Sequence, residues 1–79
     1  MKAKKMKLIE IFENPKTVVI FGQQKMTLKR VNLLFKQLVE EILNESNLSR
    51  EHFYGKVSGR VLNWTLETFL QRCAKDGLF

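Results

Sequence analysis

The chain has 79 residues, 44% hydrophobic and 28% charged, the balance of one small globular domain spanning residues 1–79. A chain near this length buries only about 60% of its unfolded surface, so nearly every apolar side chain is needed for one core and a deep catalytic pocket is not expected. The formal charge of +6 is concentrated in residues 1–39, where nine Lys/Arg face Glu10 and Glu13, while residues 40–79 carry five Lys/Arg against six acids; a polyanion should therefore meet the N-terminal half.

Residues 1–7, with Lys2, Lys4, Lys5 and Lys7, read as a basic tail. Leu8, Ile9, Ile11 and Phe12 then favour a strand, Glu13-Asn14-Pro15-Lys16 supplies a turn, and Thr17 to Phe21 is a second β-rich run. Proline presets φ there, and Asn14 can bond the backbone ahead of it. Gly22-Gln23-Gln24 offers a second reversal into a short strand around Lys25-Met26, so residues 8–26 form a small antiparallel β-hairpin or sheet.

Residues 27–79 read as a three-helix unit. Thr27 caps a helix of about four turns in which Leu28, Val31, Leu34, Phe35, Leu38, Val39 and Ile42 recur at three- and four-residue steps. Its basic residues come early and Glu40, Glu41 and Glu45 late, against the helix dipole by a few tenths of a kcal/mol at each end, roughly; packing is expected to outweigh so small a term, the alternative being that the charges serve contacts elsewhere. Ser49 caps a short second helix with Phe53 stapled onto Leu48, and Phe53, Tyr54 and Val57 form its inner face. Gly55 and Gly59 mark the exit, Ser58-Gly59-Arg60 reads as a turn, and Asn63 or Thr65 caps a third helix. There Leu66, Phe69, Leu70 and Cys73 make the apolar stripe, and Gly77 stands at the C-terminal position. The expected core is Leu34, Phe35, Leu38, Phe53, Leu66, Phe69 and Leu70, covered by alternate residues of the Ile9 to Phe21 hairpin.

Chemistry is sparse. The single Cys73 and single His52 exclude an internal disulfide and a His-pair metal site. With no glycine-rich phosphate loop and no nucleophile-base set, no enzyme activity, no cofactor and no small-molecule substrate are expected. Cys73, on an apolar stripe, reads as a small buried hydrophobe. Glu10, Glu13 and Asn14 interrupt any signal-peptide core, and the longest apolar run is Val18 to Phe21, so a cytoplasmic protein with no membrane partner is expected.

Two short final helices joined by a turn have the helix-turn-helix layout, whose last helix can enter a major groove. The order of residues from Ile9 to Lys75 resembles the winged-helix effector domain of OmpR/PhoB-type response regulators. The likeness rests on Val18-Val19-Ile20-Phe21-Gly22-Gln23-Gln24-Lys25-Met26-Thr27-Leu28 for the strand, reversal and helix start, and on Val31-Asn32-Leu33-Leu34-Phe35-Lys36-Gln37-Leu38 for the first helix. It continues through Leu48-Ser49-Arg50-Glu51 and Val57-Ser58-Gly59 for the second, and Thr65-Leu66-Glu67, Leu70 and Arg72 for the third. It implies an α+β fold, a small N-terminal antiparallel sheet followed by a winged-helix-like three-helix unit, and DNA-binding transcription regulation. Three departures remove DNA contacts: Trp64 replaces a usual arginine, Ala74 replaces a basic residue, and the likeness stops before the C-terminal hairpin that makes the wing.

The leading expectation is a double-stranded DNA-binding domain in which the third helix presents Thr68, Gln71, Arg72 and Lys75 to base edges, while Lys25, Lys29 and Arg30 contact phosphate. The alternative is a winged-helix-like module that binds protein, a partner or its own twin, and not DNA. An interface of that kind would centre on Trp64 or Phe79 and respond weakly to salt.

Overall fold

The computed structural model describes residues 5–14, 16, 19–21 and 24–78. Lys2, Lys4, Pro15, Thr17, Val18, Gly22, Gln23 and Phe79, which figure in the readings above, lie outside the described residues. The order is α1 (Leu8–Glu13), β1 (Val19–Phe21), β2 (Gln24–Met26), α2 (Leu28–Glu45), α3 (Arg50–Leu62) and α4 (Leu66–Lys75). The fold is α+β, a two-stranded antiparallel sheet followed by helices.

The segment expected as a first strand is instead the helix α1. Alternation would have put Glu10 on the same face as Leu8 and Phe12; the helical spacing i, i+3, i+4 puts Leu8 and Ile11 fully in the core, with Phe12 half-buried, and leaves Glu10 outside. Glu10 then accepts the Lys7 backbone N–H at 3.1 Å, satisfying a donor at the helix start. The residues have β propensity, but their hydrophobic period is helical, and burial decides. Phe12 reaches the face of α2, meeting the Phe35 ring edge-to-face at 5.7 Å.

Asn14 Oδ1 accepts the Lys16 N–H at 3.2 Å, so the expected side-chain turn forms, although it follows a helix. The hairpin is formed by β1 and β2, with Val19 opposite Met26, Ile20 opposite Lys25 and Phe21 opposite Gln24. Val19 is buried and Met26 packs on the core, while Ile20 and Lys25 are exposed on the other face.

Thr27 caps α2 by accepting the Arg30 N–H on Oγ1 at 3.1 Å. With 18 residues the helix makes about five turns, one more than expected, and Val31, Leu34, Phe35, Leu38, Val39 and Leu43 form its buried stripe. Asn47 ends it in the left-handed region at φ 54°. The Leu48 N–H donates to the Leu43 carbonyl and the Asn47 N–H to the Asn44 carbonyl, the paired bonds of a Schellman motif. α4 ends the same way: Gly77 has φ 71°, and the N–H groups of Leu78 and Gly77 bond the carbonyls of Cys73 and Ala74.

α3 runs unbroken through Gly55 and Gly59, correcting the expected exit and the turn at Ser58 to Arg60. Phe53, Val57 and Val61, four residues apart, anchor it to the core, which outweighs the roughly 1 kcal/mol that each glycine costs relative to alanine. Ser49 holds the N-cap position without a side-chain bond. Asn63 closes the other end, its side-chain amide donating to the Gly59 carbonyl at 3.0 Å, so α4 is left to Thr65, whose Oγ1 accepts the Thr68 N–H.

Of the expected core, Leu34, Phe35, Leu38, Leu66, Phe69 and Leu70 are buried, and Phe53 is half-buried against them. Cys73 has no exposed surface, and burial, with the Asp76 carboxylate adding to it and Arg72 opposing, pushes its thiol up to about 11. No helix among the described residues is long and apolar enough to cross a membrane.

Candidate nucleic-acid interface

Three residues, Asn63 to Thr65, join α3 to α4, and the start of the chain is fastened to this connection. Leu8 donates its N–H to the Trp64 carbonyl at 3.0 Å and Leu66 donates its N–H to the Met6 carbonyl at 2.8 Å, with Lys7 and Thr65 forming an antiparallel bridge. Trp64 is half-buried against the core within this connection. Lys5 and Lys7, both exposed, are therefore held beside the first turn of α4, and the exposed Arg60 lies in the last turn of α3.

At 100° per residue, Leu66, Phe69, Leu70 and Cys73 occupy one side of α4, and Thr68, Gln71 and Lys75 lie together on the other. All three are exposed. The Thr65 and Thr68 hydroxyls share a hydrogen bond at 3.0 Å. Gln71 offers both a donor and an acceptor, and Lys75 a point charge.

Arg72 belongs to the border between these sides, and the structure commits it within the chain. Its Nη2 lies 2.8 Å from Glu45 Oε2 of α2, and its Nε donates to Asp76 Oδ2 at 3.1 Å. Its guanidinium is thus held in place, away from the outer-face set with which the sequence grouped it. Arg50 of α3 likewise meets Glu40 of α2 at 2.9 Å. Of the late acids of α2, unfavourable to its dipole, Glu40 and Glu45 serve as interhelical partners.

Lys29 and Arg30 lie exposed in the first turn of α2 and Lys25 on the outer face of β2. Lys29 is about 24 Å along the helix axis from Glu45, the residue that holds Arg72. The seven residues singled out in the sequence thus fall into three settings: the α4 outer face, the interhelical ion pair, and the opposite end of α2. The sequence grouped Lys5 and Lys7 with a basic tail and gave no sign that they, or Arg60, lie near α4. Arg60 was hidden by the two glycines that suggested a turn, and only the pairing of Met6 to Leu8 with the connection between α3 and α4 brings Lys5 and Lys7 to the start of α4.

Among the described residues no group of three His, Cys, Asp or Glu side chains could hold a metal ion. Comparison with protein-family models, curated proteins and solved structures finds no match for this chain.

Proposed function

We propose that the chain is a DNA-binding, helix-turn-helix transcriptional regulator that meets double-stranded DNA with the outer face of α4. The observation that carries the reading is the backbone pairing of Met6, Lys7 and Leu8 with Trp64, Thr65 and Leu66. Residues Thr65 to Asp76 have no net charge, and phosphate binding needs uncompensated cations. The pairing brings Lys5 and Lys7 beside the start of α4, and Arg60 adds a third cation at the end of the preceding helix. In this reading these three contact phosphates and position the domain, while Gln71 pairs with adenine and Thr68 and Lys75 reach neighbouring base edges. Lys25, Lys29 and Arg30 are assigned to a separate surface, where they accompany an exposed leucine for which a phosphate backbone has no use.

Binding of a labelled duplex over a salt series tests the reading. With about three phosphates neutralised, log K should fall against log salt with a slope of roughly −3. Lys7→Ala should weaken all sequences alike and reduce the slope by about one, whereas Gln71→Ala should cost about 1 to 3 kcal/mol of preference at one base pair.

The second reading, a protein-docking module that does not bind DNA, is favoured by the commitment of Arg72 to Glu45 and Asp76. Failure of every duplex to bind at low salt would leave that reading in its place.

A further inference from the structure

The N-terminal half of α2 carries a surface that neither the core nor the α4 face uses. Lys29, Arg30 and Lys36 are exposed around Leu33, itself 47% exposed, and with Thr27 and Asn32 they line an open groove of about 440 Å³. Lys29, Leu33 and Lys36 follow one another at i, i+4 and i+7, so they share one helix face. No ion pair among the described residues engages the three cations, while Glu40 and Glu45 of the same helix are taken up by Arg50 and Arg72. The outer side of α2 is therefore divided, with Glu40 and Glu45 paired toward one end and the three cations of the other end in no ion pair among the described residues, centred on a bare aliphatic side chain. The pairing recurs just before the Thr27 cap, where exposed Lys25 stands opposite Ile20, which is 51% exposed.

A phosphate backbone would satisfy the cations but leave the leucine without a partner. An acidic polypeptide with an apolar side chain satisfies both, because desolvating the aliphatic centre adds to the charge contacts around it. We infer that this face docks an acidic segment of another protein, with carboxylates on Lys29, Arg30 and Lys36 and one apolar side chain seated on Leu33. The inference goes beyond the DNA reading and stands without it.

The test is an amide-shift titration of the full chain with a synthetic glutamate-rich peptide carrying one phenylalanine, with its counterpart in which glutamine replaces the phenylalanine, and with a short duplex DNA. The phenylalanine peptide should shift amides of residues 27–36, and Leu33→Ala should weaken it by about fivefold to thirtyfold. Lys29→Ala with Lys36→Ala should weaken it and flatten its salt dependence, a readout independent of the leucine. The inference is overturned if both peptides bind alike, if Leu33→Ala changes nothing, if no shift occurs at low salt, or if the duplex moves residues 27–36 and the peptide does not. The DNA reading fails separately, by absence of duplex-induced shifts in α4.

Discussion

Arg72 and Glu45 join α4 to the C-terminal end of α2, Nη2 to Oε2 at 2.8 Å, while Asp76 holds the same guanidinium from within α4. This contact turns an unfavourable helix-end charge into a link between two elements far apart in sequence. Arg72→Ala should lower stability by about 1 kcal/mol, the upper end for partly exposed pairs, seen as a lower urea midpoint with unchanged slope. Its effect on DNA affinity should be smaller than that of Gln71→Ala. Loss of preference at one base pair in Arg72→Ala would instead put this side chain in the groove.

The two glycines inside α3 make an opposite prediction. A Cβ built at Gly55 or Gly59 meets nothing within 4 Å, so alanine fits without displacing any neighbour. Each substitution should stabilise by about 0.5 to 1 kcal/mol, through helix propensity and a less flexible unfolded chain, and raise the thermal midpoint. A lowered midpoint would mean that this face of α3 is packed against something.

The helical period of α1 can be read by mutation. Leu8→Ala and Ile11→Ala remove fully buried side chains and should each cost about 2 to 5 kcal/mol, whereas Ile9→Ala, at a position 37% exposed, should cost much less. Phe69→Ala, which removes the largest fully buried side chain among the described residues, should cost about 3 to 5 kcal/mol. Equal losses at Leu8 and Ile9, measured by denaturant unfolding, would be incompatible with α1.

What the sequence showed, and what it concealed, has a physical pattern. The stripes of α2 and α4, the Thr27 cap and the Gly77 stop were legible because period and capping chemistry agreed there. At Leu8 to Phe12 they disagreed: β-branched and aromatic composition argued for a strand, and the deciding term, burial of Leu8 and Ile11, depends on partners distant in the chain. At Gly55 and Gly59 local cost argued for a turn, and Phe53, Val57 and Val61 overruled it through packing. Of the candidate site, the outer face of α4 was legible as Thr68, Gln71 and Lys75. The commitment of Arg72 and the approach of Lys5 and Lys7 were not, since both are contacts between segments with no local signature.

Cys73 should react slowly with thiol reagents in the native state and quickly once unfolded. Its folded pKa of about 11 lies above the ordinary 9.0, so between these values the native state retains a proton that the unfolded chain releases. The stability this contributes is present in full below pH 9.0 and is lost as pH rises toward about 11. Unfolding measured across that window should show a steeper fall for the natural chain than for Cys73→Ala. Identical slopes would contradict the account.

The central claim, that DNA meets α4 and the segment tied to its start, is tested most directly by amide shifts on adding a short duplex at low and at high salt. The account predicts shifts at Lys5 to Lys7, Arg60 and Thr65 to Lys75 that diminish at high salt, with residues 27–36 unmoved. Shifts confined to residues 27–36, or none in α4 at low salt, would contradict it.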